Sequence, residues 1–171
     1  QERIEYAKTH AAEELKTQLV EVFGQKKLLK WTPSGTAHFF VMWAFFILAT
    51  VYLEAYGALI QGAITGKADF HIPLIGTWPV LGFLQDFIAL ACLVGLAVFA
   101  GIRIKNSPKR IGRASRFSGS HLGGAWLVLF MIFNVLWTLF LARGAAVNTG
   151  NFPYESGAFA SEAVAEILPT S

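Results

Sequence analysis

Three stretches of the chain are almost uninterrupted apolar sequence, and polar residues gather between them. The first, from about Gly35 to Ile60, contains HFFVMWAFFILATVYLEAYGALI. The second, from about Thr77 to Ile102, contains PVLGFLQDFIALACLVGLAVFAGI. The third, from about His121 to Ala142, contains HLGGAWLVLFMIFNVLWTLFLA. About 20 mostly apolar residues cross about 30 Å of hydrocarbon. None of the stretches alternates with period two, and all are too long for strands. In lipid the backbone must satisfy its own hydrogen bonds, so helices follow. The expected fold is an all-α integral membrane bundle, with transmembrane helices at about 35–60, 77–102 and 121–142 within a domain at 35–143.

The flanking segments have a different period. Ile4, Ala11, Leu15, Leu19 and Phe23 recur at about every fourth position, with Glu and Lys between them. This spacing predicts an amphipathic juxtamembrane helix within 1–34, ending at Gly24 as C-cap and lying at the membrane interface. The tail at 144–171 repeats the pattern on a smaller scale. Ser156 could cap a short helix carrying Ala158, Phe159, Ala163, Val164, Ile167 and Leu168.

Composition supports a membrane protein over a soluble one. Of 171 residues, 54% are hydrophobic and 15% charged, against about 25% charged in soluble domains. The net charge of +3 does not imply a nucleic-acid partner, because the cations flank the apolar runs. Lys26, Lys27 and Lys30 precede the first span, and Arg103, Lys105, Lys109, Arg110, Arg113 and Arg116 follow the second without an intervening acid. The loop at 61–76 carries only Lys67 and Asp69, and the tail only Glu155, Glu162 and Glu166. The positive-inside rule therefore places the N-terminus and the 103–119 loop in the cytoplasm and the tail outside. Beyond signalling topology, the basic loop could dock a cytoplasmic domain or anionic lipid. The ends, Gln1 and Leu168-Pro169-Thr170-Ser171, read as those of a segment of a longer protein.

Candidate chemistry is sparse. His38 opens the first span and His121 the third, both near the basic end. Two neutral imidazoles at one depth could clamp a haem b, walled by Phe39, Phe40, Trp43 and Trp126. They could equally bond water or backbone at the interface. His10 and His71 read as surface residues. Glu54 and Asp86 are ionisable groups inside apolar runs, where charge is expensive and faces the bundle interior or a cavity. Either could pair with Arg143, bond Tyr52, Tyr56 or Trp78, or exchange protons with a quinone. Asn134 is expected to bond a neighbouring helix. Cys92 lies among the small residues Ala89, Ala91, Gly95, Ala97 and Gly101, which favour close packing. A lone cysteine cannot supply a Cys₄ iron–sulfur site or a haem attachment motif, so no iron–sulfur cluster is expected in this segment.

The run Gly35-Thr36-Ala37-His38-Phe39-Phe40-Val41-Met42-Trp43-Ala44-Phe45, preceded by Leu28-Leu29-Lys30-Trp31, resembles a family motif. It is the G-x-x-H-x-x-x-x-W-G-F helix of nitrate reductase gamma subunits and heterodisulfide reductase membrane subunits, particularly as fused to actinobacterial iron–sulfur oxidoreductases. The resemblance implies a five-helix bundle with histidine-held haem b in a bacterial plasma membrane. It also implies a menaquinone partner and a cytoplasmic iron–sulfur domain or electron-transferring flavoprotein. His38 matches the motif histidine of the family's second helix. The three spans would then be helices two to four, with the flanking transmembrane helices lying outside this chain. In the family the partner ligands come from the fifth helix, so His121 is a candidate outside that pattern. Ala44 stands where the motif has Gly.

The expected function is a membrane electron-transfer domain linking a cytoplasmic iron–sulfur or flavin partner to menaquinone through haem b. Glu54 and Asp86 are its candidates for quinone-linked proton transfer. The rival readings are a haem-free anchor for a cytoplasmic enzyme and a transporter fragment. Transporters show paired broken spans, a pattern not seen here.

Overall fold

The computed structural model describes residues 10–30, 32–67, 70–119 and 122–169. All regular structure among them is helical. Helix α1 (Ala11–Gln18) runs on through a π turn at Leu19–Phe23, and α2 (Lys26–Leu29) leads into α3 (Thr32–Thr65). Helix α4 (Pro79–Lys105) follows, then α5 (Pro108–Ile111) with a 3₁₀ turn at Gly112–Ala114. Helix α6 (Leu122–Asn148) and the short α7 (Phe159–Ile167) complete the chain. Helices α3, α4 and α6 are each long and apolar enough to cross a membrane.

Each of the three exceeds its expected span. Helix α3 has 34 residues and α4 and α6 have 27 each, or about 51 Å and 40 Å at 1.5 Å per residue. The apolar run sets where hydrocarbon can lie, but nothing in it ends a helix. Termination is local. Pro79 begins α4 at its first turn, where its missing N–H costs nothing. Asn106 closes α4 with a side-chain bond to the Ile102 carbonyl (2.9 Å).

Helices α3 and α4 form the main antiparallel pair. The stripe of α4 that meets α3 is Ile88, Ala89, Cys92, Gly95 and Leu96. Gly95 permits the close approach, since a Cβ there would sit 3.2 Å from the Ala37 carbonyl oxygen. Gly101, by contrast, has open space around it, so the Ala97-xxx-Gly101 pair is not at this interface. Helix α6 packs on α4 through Leu136 and Phe140, which complete the core with Ala44 and Leu48. Asn134 does not reach another helix. It donates to the Phe130 carbonyl of its own helix (2.9 Å), since within α6 a carbonyl four residues back is always in reach.

The N-terminal segment turns at Gln25, not Gly24. Gly24 remains right-handed while Gln25 takes the left-handed conformation (φ 46°). Gln25 is buried, and its Nε2 contacts Met42 Sδ at 2.6 Å. Phe23 packs on Trp43 and Phe46, with ring centroids 6.5 and 5.9 Å apart. Leu15, Leu19 and Val22 stay exposed. At the opposite end of the bundle α7 begins after Ala158, with no side-chain cap. Ser156 lies outside it because the chain turns through Gly157 (φ 94°) against Pro79.

Candidate functional site

The Arg143 end of the bundle holds a buried polar cluster built from three helices. Asp86, near the start of α4, and Arg143, near the end of α6, are brought level by the antiparallel arrangement. Arg143 Nη2 lies 3.2 Å from Asp86 Oδ1, an ion-pair distance without hydrogen-bond alignment. Arg143 Nε donates to Ser161 Oγ (2.8 Å), and Nη1 donates to Gln85 Oε1 (2.7 Å). Ser161 donates to Asp86 through both its hydroxyl (2.7 Å) and its backbone N–H (2.8 Å). Gln85 Nε2 donates to Thr50 Oγ1 (2.9 Å), which ties in α3. Asp86, Gln85 and Ser161 are each at most 1% exposed.

Aromatic rings roof the cluster. The Arg143 guanidinium carbon lies 5.0 Å from the Phe152 ring centroid and 5.5 Å from that of Tyr154. Tyr154 is buried against Gly82, where a Cβ would come within 2.9 Å of the ring. Its hydroxyl has no aligned hydrogen-bond partner. Burial first, and the Glu54 carboxylate second, push the Tyr154 phenol above its ordinary value, against the opposing influence of Gln85 and Arg143.

The cluster also marks a level in the bilayer. Asp86 to Arg103 is about 26 Å along α4, and Gly124 to Arg143 is about 29 Å along α6. Both are close to the hydrocarbon thickness of about 30 Å. Asp86 and Arg143 thus sit near one boundary of the apolar slab, and α7 covers them. A buried pair with this many hydrogen bonds offsets the desolvation cost that an isolated charge would incur.

Glu54 occupies a different position from Asp86. It is half-buried on α3, one turn beyond Thr50, and accepts a long bond from the Ile72 N–H (3.4 Å). Tyr52, Tyr56 and Trp78 are exposed and hold neither carboxylate. Asp86 has its oxygens engaged by Ser161 and Arg143, which leaves Glu54 as the carboxylate with spare acceptor capacity.

His38 is exposed, in the second turn of α3. Its neighbour Ala37 faces α4, so the imidazole points to another side. By helical period it shares a face with Phe45, Ala49, Tyr52 and Tyr56. Those four residues line a half-open apolar groove of about 630 Å³ between α3 and α6, floored by Cys92 and closed by Val135. His121 lies outside the described residues. The Ala37–Gly95 contact and the Asp86–Arg143 pair place Asn134 and Val135 at about the level of His38 on α6. That level is about 18 Å from Leu122 along α6. Trp43 turns toward Phe23 and Phe46, which packs it against the N-terminal segment.

The described residues thus present His38 on the same helix face as an apolar groove. Among the described residues no group of three or more His, Cys, Asp or Glu could hold a metal ion.

Sequence reasoning passed over Gln85, Ser161, Tyr154 and Thr50. The adjacent pair Gln85-Asp86 inside an apolar run was the available signal, because one helix turn cannot hide two polar neighbours from lipid without partners. No protein-family model, curated protein or solved structure matches this chain.

Proposed function

We propose that this chain is the membrane-embedded electron-transfer part of a haem b-containing, menaquinone-linked oxidoreductase. In this reading the protein lies in a bacterial plasma membrane, with its N-terminus and basic loop in the cytoplasm. Electrons pass between a cytoplasmic iron–sulfur or flavin partner and the quinone pool. The observation that carries it is the placement of His38. It is exposed on the face of α3 that continues into the apolar groove, where a helix from outside the described residues could complete a site. A histidine held for packing would face α4, as Ala37 does.

His38 would be the residue of this chain that holds the haem, which when bound would supply one-electron transfer. The residues of this chain then set the surroundings. Val41, Ala44 and Phe45 exclude water from the groove. Glu54, about 24 Å further along α3, is placed to take or give the proton that accompanies quinone turnover at the opposite boundary. Asp86 and Arg143 hold the ends of the helices together.

A second reading, a haem-free anchor, is favoured by one observation. The most completely bonded polar site among the described residues, at Asp86 and Arg143, joins helices and leaves no open coordination. The two readings separate in a visible spectrum of the purified full-length protein, oxidised and then dithionite-reduced. Haem b bands that disappear in His38→Ala are the expected result. A colourless protein, or bands unaffected by His38→Ala, would refute the role given to His38.

A further inference from the structure

We propose that the folded loop joining the second and third membrane helices binds the phosphate headgroups of anionic phospholipids in the leaflet it faces. This proposal is independent of any haem or quinone.

The loop concentrates positive charge. Arg103 and Lys105 form the last turn of α4, Lys109 and Arg110 lie on α5, Arg113 lies in the 3₁₀ turn, and Arg116 follows. All but Arg103 are exposed. No Asp or Glu lies between them in sequence. The ion pairs found among the described residues are Lys27–Glu21 and Asp86–Arg143, so none of the six cations is neutralised by a carboxylate there.

The backbone of the loop is folded, which keeps the cations on one short segment. Arg110 and Ile111 donate backbone N–H groups to the Ser107 carbonyl (2.9 and 3.1 Å). The buried Ser115 hydroxyl donates to the Asn106 carbonyl and accepts from the Phe117 N–H (3.0 Å). Phe117 in turn lies under the Arg103 guanidinium, 5.0 Å from ring centroid to guanidinium carbon. Holding like charges together in this way is unfavourable unless anions offset it.

Depth and apolar content favour lipid over an acidic protein as the source of those anions. The apolar slab of α4 ends at Arg103, so the loop leaves the hydrocarbon directly into the headgroup layer. Exposed charges interact over about a Debye length, about 8–10 Å, which the cations next to the end of α4 satisfy. Ile104 and Ile111 are exposed among the cations, at 59% and 40%. The boundary of a leaflet accommodates such side chains beside phosphates. The N-terminal segment at this end of the bundle exposes Leu15, Leu19 and Val22 but carries Glu13, Glu14 and Glu21 among its lysines, so the acid-free charge belongs to the loop.

The full chain, reconstituted in phosphatidylcholine bilayers, tests this with spin-labelled phosphatidylglycerol and spin-labelled phosphatidylcholine. Phosphatidylglycerol should associate more tightly by a factor of about five for each cation it engages. The preference should shrink at high salt. It should fall several-fold in a Lys109→Gln/Arg110→Gln/Arg113→Gln variant, which keeps Arg103, Lys105 and Arg116, and stay unchanged in Lys67→Gln at the other end of the bundle. Equal association of the two lipids with the unaltered protein overturns the proposal. So does a preference undiminished in the triple variant, which would place the lipid contact elsewhere on the protein. If the triple variant misfolds, Lys105→Gln/Arg116→Gln, with the same expected fall, decides the matter.

Discussion

Asp86 and Arg143 meet 3.2 Å apart across α4 and α6, and Ser161 of α7 bonds to both. This three-way contact fixes the level at which the two membrane helices align, and it seats the C-terminal helix on them.

Removing one charge of this pair leaves the other buried without compensation, which costs about 3–5 kcal/mol. Asp86→Asn and Arg143→Gln should each lower the thermal unfolding midpoint in detergent. The double variant should lose less than the sum of the two. Strict additivity would show that the pair is not coupled.

Ser161→Ala removes the hydroxyl that bridges Arg143 Nε and Asp86 Oδ1 while keeping the backbone bond to Asp86. Leaving buried partners unsatisfied costs about 1–3 kcal/mol. The loss should be local. Amide exchange should rise in 159–167, and the core of α3 and α4 around Ala89 should keep its protection.

On the proposed quinone-linked function, Glu54→Gln should slow quinone turnover and leave the visible spectrum unaltered. An unchanged rate would remove Glu54 from the proton path. Asp86→Asn is the contrasting case. It should act through stability, because Ser161 and Arg143 already occupy its oxygens.

Tyr154 gives a pH dependence of definite sign. Its phenol is pushed up in the folded protein, first by burial and then by Glu54. The unfolded chain releases this proton near pH 10, while the folded chain still holds it. The stability from this group is complete below about pH 10 and is lost as pH rises through the folded value. A stability profile should therefore fall more steeply above pH 10 in the unaltered protein than in Tyr154→Phe.

Much of the architecture was legible before any coordinates, because a membrane imposes few and strong rules. Apolar runs such as 87–102 have to be helices, and every buried backbone group in them finds its partner within the same segment. The amphipathic period of 159–167 was readable for the same local reason. Helix ends were less so, since Asn106, Gln25 and Gly157 act through individual bonds and torsions that hydropathy does not record. Nor could hydropathy tell which small residues pack. Gly95 meets Ala37 while Gly101 faces open space, and only the direction each faces separates them.

The sequence by itself determined that three helices are apolar enough to cross a membrane, that their cations gather between the second and third, and that Glu54, Asp86 and Arg143 would need partners. Those are properties of single segments, set by transfer free energies. Only the tertiary structure decided which groups partner which. Asp86 takes Arg143 and Ser161, Glu54 takes the Ile72 N–H, and His38 is turned from α4 onto the groove face of α3. These choices depend on how helices are rotated and aligned against one another, and that is set by many small packing contacts summed over the bundle.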